Sequence, residues 1–182
     1  MKNNLWTFET LAKADRATLD QVLLSSNTPD PKQMVGYVYD GYNHDWLGQL
    51  AGKKFRKTFL LQDNQPYGLN QIVEQDGNDF TGEWRIRHKN GRPVELGFFK
   101  VLPASESAWN RQVARYKHLI CFDYNIALNP KTNLLMRSIH DYVGLPNVGD
   151  YGIVLGKAYL QITPSHSIFA SYFILGHRKP YE

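Results

Sequence analysis

The 182-residue sequence predicts a mainly β fold: an antiparallel, mostly up-and-down β-barrel of about nine strands, with N-terminal helices and one short capping helix. Three observations predict it. From residue 34 onward, short runs alternate apolar and polar residues. Gly82, Trp84, Ile86 and His88, interleaved with Glu83, Arg85, Arg87 and Lys89, are one example. The runs are joined by turn chemistry. Aromatic residues, which favour strands and pocket walls, make up 13% of the chain, with 11 Tyr, 9 Phe and 4 Trp.

Residues 7–25 carry Phe8, Leu11, Leu19, Val22 and Leu23 at helical spacing, which predicts two short helices broken around Lys13 to Arg16. The stretch S-S-N-T-P-D-P then ends helical structure. Residues 1–33 are therefore expected to pack on or close a barrel domain formed by residues 34–182. Strands are expected near 34–42, 54–62, 67–75, 82–88, 92–102, 115–128, 134–143, 152–162 and 167–178. Between the first two, Trp46, Leu47 and Leu50 form one apolar stripe, the expected capping helix. Asn90-Gly91 suits the φ > 0 positions of a tight hairpin, and Q-D-N-Q-P is another turn. The loop at 103–112, with Trp109, is a candidate lid.

Taking the more apolar face of each strand as inward makes Tyr37 and Tyr39 internal, with Tyr116, His118, Ile120, Phe122 and Tyr124 following on the sixth strand. On the seventh strand the same rule selects Ser138, His140 and Tyr142, although Leu135 and Ile139 lie opposite. On the last strand it selects Ile168, Ala170, Tyr172 and Ile174. Small residues recur on these faces and leave volume, among them Gly82, Gly156, Ala158 and Ala170. So many inward polar tips exceed what a dry core holds, so the expected interior is a ligand cavity. Its expected lining is Tyr37, Tyr39, Trp84, Ile86, His88, Phe98, Tyr116, His118, Phe122, Tyr124, His140, Tyr142 and Tyr172. Arg92 or Lys100 would supply a cation for a ligand carboxylate.

The remaining signals exclude more than they assign. A net charge of +4 is mild, and basic residues interleaved with apolar ones are the ordinary pattern of a half-buried strand, so nucleic acid is not the expected partner. The single cysteine, Cys121, rules out an internal disulfide and reads as a small buried hydrophobe. His88, His118 and His140 show no H-x-H or H-x-x-x-H spacing and are read as hydrogen-bonded wall residues, so neither metal nor cofactor is expected. There is no G-x-S-x-G, no H-E-x-x-H and no Gly-rich phosphate loop, and no catalytic residue is assigned. The N-terminal residues lack an apolar run and no stretch approaches a membrane span, so a cytoplasmic location is expected. Two alternatives remain: a barrel enzyme using His and Tyr as acid and base, and a protein- or nucleic-acid-binding module with a filled barrel.

M-V-G-Y-V-Y-D-G-Y at residues 34–42, followed by a helical insert and a series of antiparallel strands, resembles the calycins, which include lipocalins and fatty-acid-binding proteins. Gly36-Tyr37-Val38-Tyr39 occupies the place of that superfamily's glycine-x-tryptophan motif, with Tyr where the family has Trp. The family sets an Arg or Lys of the last strand over that aromatic, and Arg178 matches it. The resemblance implies a barrel holding a hydrophobic or amphipathic small molecule, with Gly36 and Arg178 in structural roles.

Overall fold

The computed structural model describes residues 5–45, 48, 52–77, 79–108, 114–163 and 165–182. The expected capping stripe of Trp46, Leu47 and Leu50, and Trp109 of the candidate lid, lie outside the described residues.

Helix α1 (Phe8–Lys13) starts at a capping box, in which Thr7 and Thr10 each accept the other's backbone N–H. Helix α2 (Arg16–Ser25) starts where the Asp15 carboxylate accepts the Thr18 N–H. The strands are β1 (Tyr37–Asn43), β2 (Lys54–Gln62), β3 (Gln65–Ile72), β4 (His88–Lys89), β5 (Arg92–Pro93), β6 (Glu95–Pro103), β7 (Ile120–Asp123), β8 (Ile139–Gly144), β9 (Val154–Thr163) and β10 (His166–Pro180). Eight of them close an antiparallel barrel in the order β1-β2-β3-β6-β7-β8-β9-β10, with β10 pairing back onto β1. Positive φ angles at Asp63 (50°) and Asn64 (62°) make the tight β2–β3 turn, and Asn90 (52°) with Gly91 (74°) turns β4 into β5.

The barrel has eight strands rather than nine because the 82–88 stretch stays outside it. Only β4 pairs with β5 there, as a separate hairpin. Its backbone pairs with the chain at and just beyond the end of β3, through the Val73–Ile86 bridge and Arg87 N–H donating to the Ile72 carbonyl at 2.8 Å. Trp84 turns onto the barrel exterior, donating from Nε1 to the Gly41 carbonyl at 2.8 Å and meeting the Phe8 ring edge-on at 5.7 Å. The expected strand at 115–128 shortens to β7, preceded by a 3-10 turn at Ala114–Tyr116.

One end of the interior is packed solid. Phe99 and Phe122 stack at 4.7 Å, Phe59 meets both at 5.7 and 5.4 Å, and Tyr39 meets Phe59 edge-on at 5.5 Å. Met34, Val101, Val143, Leu145, Val154 and Leu175 complete this inner core. Three glycines make room for rings rather than leaving volume. A Cβ would lie 2.3 Å from the Phe55 ring at Gly41, 2.4 Å from Phe99 at Gly68 and 2.0 Å from Phe173 at Gly156.

A second core lies outside the barrel, where α1 and α2 cover β9 and β10. Leu11, Leu19, Val22 and Leu23 pack with Tyr116, Cys121, Tyr142, Leu155, Tyr172 and Ile174. Tyr116, His140, Tyr142 and Tyr172 therefore face outward, opposite to expectation, Tyr116 because it sits in the 3-10 turn rather than in a strand and the others for two local reasons. Residues Leu134–Arg137 form a short helix (α3), capped by the Asn133 side chain, so the alternation of β8 starts at Ile139 with Ile139, Asp141 and Val143 inward. In β10 the register shifts between Phe169 and Ser171, a bulge that reverses the phase set by Ile168 and sends Phe173 and Leu175 inside. Asp45 braces the bulge, with Oδ2 accepting the Tyr172 N–H at 2.9 Å.

Asp20 of α2 ties the helices to the barrel. Its Oδ1 accepts from Lys157 Nζ (2.7 Å), Tyr116 Oη (2.6 Å) and Tyr172 Oη (2.6 Å), and its Oδ2 accepts from Arg115. Partial burial pushes the carboxyl pKa up, but these donors outweigh it and hold the group well below the usual range.

Two outcomes follow from this packing. Gly156→Ala overfills the site against Phe173 and is expected to cost about 1–3 kcal/mol in denaturant unfolding. Asp20→Asn removes the charge that four donors share, with an expected loss of about 1–3 kcal/mol. Because the folded carboxyl is depressed, that contribution is complete above the ordinary value of 3.8 and drains away as pH falls below it. Acid titrations of the two proteins should accordingly converge at low pH.

Candidate functional site

At the other end of the barrel the aromatic filling stops and a cavity of about 370 Å³ begins. Its walls come from every barrel strand except β7, from Tyr124 just beyond β7, and from α3. Phe55, Ile72, Leu96, Leu135, Met136, Ile139, Ala158, Leu160, Ala170 and Phe173 make them mostly apolar. Ile139 pairs with Leu160, and Leu160 with Ile168, forming an apolar row across β8, β9 and β10. Leu134, Leu135, Ile162 and Ile168 are exposed.

Lys57 and Asp141 stand at the cavity floor, 3% and 2% exposed. Both are internal because of strand phase. Lys57 alternates with Phe55 and Phe59 along β2, and Asp141 lies between Ile139 and Val143 along β8. The ammonium Nζ donates to Asn70 Oδ1 at 2.8 Å and to Tyr124 Oη at 2.5 Å, and lies 3.6 Å from Asp141 Oδ2. The Tyr124 hydroxyl in turn donates to Asp141 Oδ2 at 3.2 Å. Rings surround the cation: its nitrogen is 4.7 Å from the Phe99 centroid, 5.2 Å from both Tyr124 and Phe173, and 5.3 Å from Phe55.

Burial dominates the electrostatics of this cluster. It pulls the Lys57 pKa down to about 8 against the attraction of Asp141. It also pushes the Asp141 carboxyl up, with Lys57 and Tyr124 pulling the other way, and raises the Tyr124 phenol well above its ordinary value. The floor thus holds an amine, a carboxyl and a phenol in one hydrogen-bonded chain, able to orient a polar ligand group or to exchange protons with it.

Of the expected lining residues, Tyr124 borders the cavity. Phe122 and Tyr39 lie deeper, in the packed inner core, with Tyr37 against them. Trp84 and Ile86 belong to the outer core. His88 is exposed on the small hairpin, His118 is exposed before β7, and Phe98 is half-buried on the face of β6 opposite Phe99. Tyr116 and Tyr172 bond to Asp20 outside the barrel. His140 stacks on Tyr159 at 5.7 Å and meets Tyr142 edge-on, and burial pulls its pKa down to about 4. The three histidines therefore do not converge. Among the described residues no group of three His, Cys, Asp or Glu side chains is placed to hold a metal ion.

The expected ligand cations are also placed elsewhere. Arg92 is exposed on β5, and Lys100 faces outward, 3.4 Å from Asp123. Lys57 and Asp141 were the residues that sequence reasoning missed. The available signal was a single charge in phase with apolar neighbours, in F-x-K-x-F and I-x-D-x-V. Arg178 sets its guanidinium carbon 3.5 Å from the Tyr37 ring centroid. Gly36, at φ 81°, donates to the Phe59 carbonyl and accepts from the Tyr181 N–H, 2.9 Å each.

Comparison of the chain with protein-family models, curated proteins and solved structures finds no match.

The depressed Lys57 pKa makes stability depend on pH with a defined sign. Between about 8 and the ordinary 10.5 the unfolded chain holds a proton that the folded chain has given up, so stability rises with pH. Denaturant midpoints measured from pH 8 to pH 10 should show this rise in the parent protein relative to Lys57→Met. At pH 7 that variant leaves the Asp141 charge unpaired and should be destabilised by about 3–5 kcal/mol.

Proposed function

We propose that the protein binds a hydrophobic or amphipathic small molecule inside its barrel, as a carrier or sensor of the calycin kind. The observation that carries this reading is the half-filled interior: an apolar-walled cavity of about 370 Å³ above a polar floor. Small-molecule sites span roughly 300–1,000 Å³ and combine apolar walls with a few convergent polar groups. The exposed apolar side chains Leu134, Leu135, Ile162 and Ile168 give an apolar ligand an entry surface. The closed antiparallel barrel and the Arg178–Tyr37 contact are features that the calycin resemblance implies.

The alternatives find less support. His88 and His118 are exposed away from the cavity and His140 is buried outside it, which leaves a histidine base without a substrate site. The K-K-F-R-K basic cluster is not a surface patch. Lys54 and Lys57 are buried, and Arg56 is held 2.8 Å from Asp40.

The neutral fluorophore N-phenyl-1-naphthylamine should bind saturably at one site with enhanced emission. Native mass spectrometry of the freshly purified protein should show a co-purified mass or one-to-one uptake of an added apolar ligand. Ala158 lines the cavity, so Ala158→Phe fills it and should weaken the fluorophore at least about tenfold, roughly 1.4 kcal/mol. Unchanged binding in a folded Ala158→Phe protein would place the site elsewhere.

A further inference from the structure

The polar side chains around the cavity are nearly all committed to protein partners. The Lys57 ammonium is shared among Asn70, Tyr124 and Asp141. The Asn70 amide donates to the Gly97 carbonyl (3.2 Å) and to Tyr124 Oη (3.3 Å). Lys54 bonds to Asp76 at 2.8 Å with its nitrogen 4.8 Å from the Trp84 ring centroid. Gln75 spans the Lys54 backbone N–H and carbonyl, and the Asn43 amide donates to the Gly48 and Gly52 carbonyls. Ser171 donates to the Tyr172 carbonyl and accepts the Asp45 N–H.

One atom of the lining stands apart. Asp141 Oδ1 is buried and has no hydrogen-bond partner among the described residues, on a side chain that borders the cavity and is itself 2% exposed. Leaving such an atom unpaired in a low-dielectric interior is costly, and a ligand group that satisfies it recovers that cost. A ligand carboxylate has no proton to give the Asp141 oxygen and would set a second negative charge against it. A ligand ammonium would have to share a desolvated site with the Lys57 cation.

We infer that the ligand's polar end is an uncharged hydroxyl seated on Asp141 Oδ1, so that the cavity selects an aliphatic or aromatic alcohol over a carboxylate or an amine of the same size. This rests on the cavity-binding reading above and names the chemistry that cavity takes. The hydroxyl donates to Oδ1 of the Asp141 carboxylate, opposite the oxygen that Tyr124 and Lys57 hold, and an ether has no such proton to give. Tyr124 and Lys57 hold Oδ2, so Oδ1 is the oxygen of Asp141 left for the ligand, which reaches it as the wall around that buried atom gives by a fraction of an ångström.

Displacement of N-phenyl-1-naphthylamine at pH 7 by decan-1-ol, methyl nonyl ether, decanoic acid and decylamine tests the inference. The ether matches the alcohol's tail and oxygen but lacks the donor. In the parent protein the alcohol should displace the probe at least about tenfold more tightly than the ether, the acid or the amine. In Asp141→Asn the alcohol's advantage over the ether should shrink to within about threefold. If the ether or the acid matches the alcohol, the hydroxyl assignment is overturned while the cavity reading stands. A full alcohol preference in a folded Asp141→Asn protein removes Asp141 as the anchor. If the fluorophore itself fails to bind the parent protein, the cavity reading fails and takes this inference with it. Should Asp141→Asn not fold, the ranking of the four compounds in the parent protein still decides.

Discussion

An eight-stranded barrel encloses an interior that side chains can just fill. In this molecule they fill only part of it. Phe59, Phe99 and Phe122 meet at centroid distances of 4.7–5.7 Å, and with Tyr39 they close one end. Glycines at 68 and 156 give up their own side chains to admit the Phe99 and Phe173 rings. Beyond this aromatic layer the walls carry smaller or thinner side chains, including Ala158, Ala170, Leu160 and Met136, and the cavity opens.

Lys57 sits where the packed end meets the cavity. A buried ammonium is costly, and a carboxylate at 3.6 Å, two hydrogen bonds and surrounding aromatic faces offset that cost. An apolar pair of similar volume would serve stability at least as well. Stability alone therefore does not account for the polar floor, and the unpaired Asp141 oxygen supports the proposed ligand site.

The outer core explains how a sheet can be apolar on both faces without exposing either. Helices α1 and α2 cover the tyrosine-rich exterior of β8, β9 and β10, and the Asp20 carboxylate fixes them there by gathering Lys157, Tyr116 and Tyr172. Cys121 belongs to this core, where burial pushes its thiol pKa up. The Gly82-to-Lys89 stretch, alternating like a barrel strand, also serves the exterior: Trp84 seals the gap between α1 and β1.

Local chemistry was legible in the sequence. The antiparallel β class, the Asn90-Gly91 hairpin, the break between α1 and α2 and the inward side of Tyr39, Phe122 and Tyr124 all follow from turn preferences, caps and alternation. The phase of β8 and β10 did not, because a period of two reports only the contrast between an apolar face and a wet one. Where helices cover the outer face that contrast vanishes, and Tyr142 or Tyr172 looks as internal as Val143 or Phe173. A one-residue bulge at 169–171 and the four-residue α3 then reset the register, and neither leaves a periodic trace. The site was hidden for a related reason. Lys57 and Asp141 look like solvent-facing charges until the closed barrel brings them within 3.6 Å of each other, and only then is each paid for by the other. Residues near in sequence decided which elements form; residues distant in sequence, meeting across the barrel, decided which faces are inside and what lies at the floor of the cavity.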